Sequence, residues 1–60
     1  MKKEDVEYFA VPKRNVKITL YPNFSIIGHI DRVSDDCFIF TTSQKSSLIK
    51  MADLKTIVEW

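Results

Sequence analysis

Apolar and polar residues alternate along the segment that follows Asn15, and this period of two predicts a strand with one buried face. The apolar positions are Val16, Ile18 and Leu20, and the first strand is predicted over residues 15–21. A turn is predicted at Pro22-Asn23. Proline fixes φ for the first central position of a turn, and asparagine tolerates positive φ at the next.

The only glycine of the chain, Gly28, lies inside the second predicted strand, residues 25–34. A lone glycine within a strand marks either a sharp bend or a point where another backbone passes close. Polar turns then separate three more predicted strands, over residues 37–42, 46–51 and 55–60. Five short strands joined in this way predict a small, strongly bent antiparallel β-barrel.

Residues 3–10 predict one short helix ahead of the strands. Val6 and Phe9 are three residues apart, and Glu4 and Asp5 suit the positive end of a helix dipole. Pro12 disfavours helical angles at the residue before it and is expected to end the helix. The fold class is therefore mostly β, with a short N-terminal α-helix, in a single domain of residues 1–60.

Size and composition indicate self-association. A 60-residue domain buries a modest core and often gains stability from disulfides, metals or partner subunits. Cys37 is the only cysteine and His29 the only histidine, which excludes an internal disulfide and a zinc site. Oligomerisation is left as the source of extra stability.

Charge and hydropathy narrow the class of partner and the location. Nine basic and eight acidic residues give a net charge of +1, so nucleic-acid binding would need local clustering of lysine and arginine, or assembly. No apolar run approaches the roughly 18 residues of a membrane span, and no hydrophobic run of a secretory signal is present. The single cysteine favours the cytoplasm.

No group of residues suggests an enzyme. Acid–base catalysis needs positioned titratable pairs, and the adjacent Asp35 and Asp36 of a predicted turn point apart. Cys37 begins an apolar strand with no predicted base beside it. We expect no catalytic residues, no cofactor, no metal and no small-molecule substrate.

Two stretches of the chain have the form of known motifs. Residues 16–31 followed by Asp35-Asp36 give an alternating strand, a turn, a glycine-containing strand and an acidic turn, and residues 48–57 give a shorter second motif. Together they resemble the Sm-like (LSm) superfamily and are most similar to its Hfq branch of bacterial RNA chaperones. The resemblance implies an Sm-like (SH3-like) barrel and single-stranded RNA as partner. It also implies a homo-oligomeric ring of six or seven subunits, formed by pairing of the fourth and fifth strands.

The resemblance also implies three sets of RNA-binding residues. On the pore side these are Asp36, Cys37, Ile49, Lys50 and Met51. On the opposite face they are Thr19, Asn23, Phe24 and Ile27, with Tyr21 on the same strand face as the substitute for the aromatic residue that the family usually has at the position of Thr19. On the rim they are Lys13 and Arg14.

The pore-side set departs from the family pattern. Residues 49–51 keep only the lysine of the aromatic-Lys-His stretch found in Hfq, and Cys37 stands where an aromatic residue usually stacks a base. A second function class remains open: a small β-barrel that acts as a protein-interaction or assembly module without binding RNA.

Overall fold

The computed structural model of the protein describes residues 2–10 and 13–60. In chain order the elements are helix α1 (Lys3–Ala10), strands β1 (Val16–Leu20), β2 (Phe24–Val33), β3 (Cys37–Thr41) and β4 (Ser46–Lys50), a 3-10 turn (Met51–Asp53), and strand β5 (Leu54–Glu59). The predicted mostly β chain, with an N-terminal helix and antiparallel strands, is confirmed. Strand ends differ from the predicted bounds by at most one residue.

The strands form one antiparallel sheet in the order β4-β3-β2-β1-β5. The long strand β2 joins its two halves, because residues 24–28 pair with β1 and the residues from His29 onward pair with β3. A register shift between Ile30 and Val33 interrupts the second ladder, and such irregularities increase the bend of a sheet. Within residues 2–10 and 13–60, β4 and β5 pair on one side only, so the sheet is open.

A single hydrophobic core lies on the concave side of this sheet. It receives side chains from α1, from every strand and from the 3-10 turn: Val6, Val16, Ile18, Ile30, Phe38, Phe40, Ile49, Met51, Leu54 and Ile57. Both edge strands contribute to it, so the sheet curves around one cluster. Burial of these apolar side chains is the main term that stabilises the fold.

Helix α1 covers the core through one stripe of its surface. Val6 is fully buried, while Phe9 and Ala10 pack partly against the core, and this i, i+3, i+4 spacing is that of one helix face. Val11 and Pro12, predicted to end the helix, lie outside the described residues. No helix in the described part of the chain is long and apolar enough to cross a membrane.

The turn between β1 and β2 differs from the prediction. Leu20 pairs with Phe24, so the loop contains three residues rather than two central ones, and the Tyr21–Pro22 peptide bond is cis. No described residue has positive φ, so the turn does not use the tolerance of Asn23 for positive φ. The longer loop reverses the chain over three residues and does not require a positive φ. The Tyr21 backbone N–H donates to the Asp53 carbonyl oxygen (2.9 Å), which ties this loop to the 3-10 turn.

Gly28 marks a close approach of two strands. A Cβ atom at this position would overlap the backbone oxygen of Thr41 on β3 and lie 2.9 Å from the ring of Phe40. Its φ is not positive, so the glycine is required for space rather than for an unusual backbone conformation. The structure thus shows the second of the two roles that the sequence left open, the close approach of another backbone.

Candidate nucleic-acid interface

An open depression of about 770 Å³ lies where the start of α1 meets the β2–β3 turn and the end of β4. Its lining comprises Lys2, Lys3, Glu4, Asp35, Asp36, Cys37, Leu48, Lys50, Met51 and Ala52. Four of the five predicted pore-side residues are among them. The structure therefore brings together two segments that are far apart in sequence.

Backbone hydrogen bonds hold the two segments in place. Cys37 pairs with Lys50 in the β3–β4 ladder, and the Met51 N–H donates to the Asp36 carbonyl oxygen (2.9 Å). The Ser34 N–H donates to the Cys37 carbonyl oxygen (2.8 Å) and closes the acidic turn. The walls of the depression are thus fixed by the main chain, independently of which side chains they carry.

Ile49, the fifth predicted pore-side residue, is not in the depression. It lies opposite Phe38 in the β3–β4 register and is buried in the core. Its neighbour Leu48 points the other way, is 62% exposed and lines the depression. Adjacent strand residues face opposite sides of a sheet, so Ile49 has a packing role and Leu48 takes its place at the surface.

Positive and negative side chains are balanced around the depression. Three lysines (Lys2, Lys3 and Lys50) line it together with three carboxylates (Glu4, Asp35 and Asp36). The Lys3 ammonium lies 3.2 Å from an Asp35 carboxylate oxygen. The hydrogen bond to Asp35, followed by the charge of that carboxylate, raises the pKa of Lys3.

A ligand can reach Lys50 without displacing an ion pair. This lysine is exposed at the last position of β4, and among residues 2–10 and 13–60 it forms no salt bridge. Because β4 is an edge strand, Lys50 also lies at the boundary of the sheet. A second subunit paired to that edge would lie next to it.

The predicted opposite-face residues are at least partly exposed but do not share one surface. Thr19 and Ile27 lie on the convex face of the sheet, where the Thr19 hydroxyl is 3.1 Å from that of Ser25. Phe24 is opposite Leu20 and therefore belongs to the other side of the β1–β2 ladder, although it is exposed. Tyr21 and Asn23 are exposed in the loop between the strands.

The two predicted rim cations form ion pairs within the chain. Lys13 Nζ lies 3.0 Å from an Asp31 carboxylate oxygen, and Arg14 Nη1 lies 3.9 Å from a Glu59 carboxylate oxygen. The Arg14 guanidinium also lies over the ring of Tyr8, 5.3 Å from its centroid. These contacts link the segment before β1 to β2, to β5 and to the helix.

Asp31 is the most heavily engaged carboxylate of the described chain. It accepts a hydrogen bond from the Thr41 hydroxyl and pairs with Lys13, and His29 Nε2 lies 3.4 Å from it. The Thr41 hydrogen bond and then the Lys13 hydrogen bond lower the pKa of Asp31. Among the described residues, no group of three or more His, Cys, Asp or Glu side chains is placed to hold a metal ion.

Sequence reasoning missed several surface residues. Lys2 and Lys3 line the depression because α1 begins beside the acidic turn, a long-range contact that no local pattern shows. Lys17 and Trp60 meet on the convex face, with the ammonium 5.2 Å from the centroid of the indole ring. The alternation of β1 does place Lys17 on that face, but only the pairing of β1 with β5 brings Trp60 to it.

Comparisons of the chain with protein-family models, with curated proteins and with solved structures found no match.

Proposed function

We propose that this chain is an Sm-like subunit that assembles into a homo-oligomeric ring of six or seven copies and binds single-stranded RNA without catalysis. In this proposal it acts as an RNA chaperone or post-transcriptional regulator in the cytoplasm. The observation that carries the proposal is the open sheet: its two edges are β4 and β5, and the depression that contains Lys50 borders the β4 edge.

The two edges are suited to pairing with each other. Each is a strand with one unpaired edge and no proline, which is a template for strand addition. Each also exposes an apolar side chain: Leu48 on β4 and Val58 on β5, which is 48% exposed. Covering the exposed part of each would contribute about 1–2 kcal/mol, beyond the hydrogen bonds of the new ladder.

Pairing of unlike edges supports a ring rather than a two-fold dimer. The β4 edge of one subunit would meet the β5 edge of the next, and each subunit would keep one edge of each kind for its other neighbour. Such a heterologous contact closes into a ring when its rotation permits. A closed ring leaves no edge exposed.

Assembly would also bring copies of Lys50 close to one another. One depression has balanced charges, but a ring would place six or seven copies of the exposed Lys50 at the same subunit boundary. Phosphate contacts by clustered lysines supply much of the affinity for nucleic acid. The exposed apolar side chain of Leu48 would contact bases, without the aromatic stacking that usually strengthens such sites.

A second candidate function is a protein-interaction or assembly module that does not bind RNA. The balance of three lysines and three carboxylates around the depression favours it, because such a surface attracts polyanions weakly. The two candidates differ in the response to RNA, so one titration separates them.

Charges introduced at the two edges test the edge contact. In a Leu48→Lys/Val58→Lys variant, lysines of neighbouring subunits would face each other, and we expect the assembly to dissociate. Both side chains are exposed, so the subunit itself should stay folded, as judged by far-UV circular dichroism. A Leu48→Lys/Val58→Glu variant restores opposite charges and should reassemble. Gln44→Lys, in the exposed β3–β4 loop, is the control and should leave the mass unchanged. Wild-type mass for the double-lysine variant would contradict the proposed contact.

RNA binding is tested by fluorescence anisotropy with labelled oligo(U) and oligo(A) over a range of salt concentrations. Lys50→Ala should weaken binding and reduce the slope of log K against log salt by about 0.7 for each phosphate that the lysine neutralises. Lys45→Ala, at an exposed loop position, is the matched control and should bind as the wild type does. Unchanged binding by Lys50→Ala removes Lys50 from the site. No binding by an assembled wild type would leave the protein-interaction module as the function.

A further inference from the structure

A cation and a large aromatic side chain meet on the convex face of the sheet, away from the depression. Lys17 lies in β1 directly opposite Ile27 of β2 and opposite Val58 of β5. Its ammonium lies 5.2 Å from the centroid of the Trp60 ring. We define Lys17, Ile27 and Trp60 as the Trp60 surface; Val58 lies between it and the open edge of β5.

The Trp60 surface is accessible. Trp60 is 66% exposed and Ile27 is 47% exposed. The ammonium of Lys17 has no carboxylate within salt-bridge distance in the described part of the chain, and its contact there is with the indole. An anion can therefore approach Lys17 without breaking an ion pair.

The position of Trp60 is fixed by contacts to the segment before β1. Its backbone N–H donates to the Asn15 carbonyl oxygen (3.0 Å), which extends the β1–β5 ladder by one residue. The preceding residue, Glu59, pairs with Val16 and accepts the ion pair from Arg14. The indole is thus presented on an ordered strand end, and a ligand would not have to order it on binding.

The indole is directed away from the edge that the proposed ring uses. It packs over Lys17 of β1, toward the interior of the sheet, whereas the open edge of β5 is on the opposite side of that strand. Pairing of β5 with a neighbouring β4 would therefore leave the Trp60 surface available to a ligand.

We propose that the Trp60 surface is a second contact site for single-stranded RNA, in which one base stacks on the indole of Trp60 and a neighbouring phosphate binds the ammonium of Lys17. The inference rests on the proposed RNA-binding function and names a second site that contributes to it. Stacking on an aromatic side chain beside a basic group is the general way in which proteins hold unpaired nucleotides. Ile27 supplies apolar area beside the stacked base.

The size and charge of the surface favour this ligand over other macromolecules. A membrane-binding surface combines several cations with a large apolar face, whereas one cation is present here. One base and one phosphate match one indole and one ammonium.

The single tryptophan of the chain makes the site directly observable, since all tryptophan emission comes from Trp60. Wild-type protein is titrated with labelled oligo(A) and oligo(U), and anisotropy and tryptophan emission are recorded on the same samples. We expect saturable quenching with the same midpoint as the anisotropy change. Trp60→Ala should weaken binding by roughly 5- to 150-fold, the equivalent of about 1–3 kcal/mol, and Trp60→Phe should retain most of the affinity.

Lysine variants test the phosphate contact and separate this site from the depression. Lys17→Gln should weaken binding and lower the salt slope, whereas the control Lys45→Gln should do neither. Lys50→Ala should bind more weakly, but its tryptophan emission should still be quenched at saturation, because the Trp60 surface is intact. Circular dichroism establishes that each variant is folded.

Three results would overturn the inference in distinguishable ways. RNA binding with unchanged tryptophan emission, and with wild-type affinity in Trp60→Ala, would remove the Trp60 surface and leave the proposed function standing. Absence of RNA binding by the assembled wild type would contradict both the Trp60 surface as an RNA site and the proposed RNA-binding function. A change of emission caused by dilution or by anionic vesicles, with none caused by RNA, would assign the surface to self-association or to membranes instead.

Discussion

Replacing Gly28 with alanine is expected to destabilise the protein strongly, although the added group is one methyl on a strand. The new Cβ would overlap the backbone oxygen of Thr41, so β2 and β3 must separate or the Phe40 ring must shift. Overpacking of this kind costs about 1–3 kcal/mol, and each weakened ladder hydrogen bond adds about 1 kcal/mol. The lower backbone entropy of unfolded alanine offsets about 0.5–1 kcal/mol.

The net effect of Gly28→Ala is a decrease of about 2–3 kcal/mol in the free energy of unfolding. A 60-residue domain has a total free energy of unfolding of about 3–9 kcal/mol, so the decrease is a large fraction of it. The melting temperature should fall by roughly 10–20 °C. Urea unfolding followed by far-UV circular dichroism measures the change in the free energy of unfolding. The protein concentration is held fixed because assembly would add stability. Arg32→Ala, exposed on the same strand, is the control and should change the free energy by less than about 0.5 kcal/mol. A Gly28→Ala protein as stable as the wild type would refute the close approach of β2 and β3.

The remaining predictions concern Asp31 and the core. Thr41→Val removes the hydroxyl that donates to Asp31, so the lowered pKa of that carboxyl should rise toward its ordinary value in an NMR titration. An unchanged pKa would show that the Thr41 hydrogen bond does not cause the lowering. The lowered pKa of Asp31 in the folded state stabilises the protein above the unfolded pKa of about 3.9, and this stabilisation is lost as pH falls through the folded pKa. The Thr41→Val variant should therefore lose less stability in acid than the wild type does. Phe38→Ala, at a fully buried position, should cost about 3–5 kcal/mol in urea unfolding, whereas Tyr21→Ala, at an exposed one, should cost little; equal costs would contradict the assigned core.

The local patterns of the sequence were sufficient to predict the elements of the fold. The period of two in β1, the helical spacing of Val6 and Phe9, and the polar turns each depend on residues close in the chain. The local sequence also limited the role of Gly28 to two alternatives, a sharp bend or the close approach of another backbone. Only the position of β3 showed the close approach that requires glycine at this position.

The candidate sites were less predictable because they depend on which strands become neighbours. Leu48 and Ile49 are both apolar, and the pairing of Ile49 with Phe38 decides which of them is buried. Arg14 was predicted as a rim cation, but the β1–β5 pairing brings it to Glu59. The same pairing creates the contact between Trp60 and Lys17, which no local pattern contains.

The solution mass of the wild-type protein, measured by size-exclusion chromatography with multi-angle light scattering, tests edge-to-edge assembly most directly. The chain has a mass of 7.0 kDa, so a ring of six copies would have a mass of about 42 kDa and a ring of seven about 49 kDa. The proposed function predicts one of these values, unchanged on moderate dilution. A folded species of about 7 kDa at micromolar concentration would contradict it, because the β4 and β5 edges would then be stable without a partner.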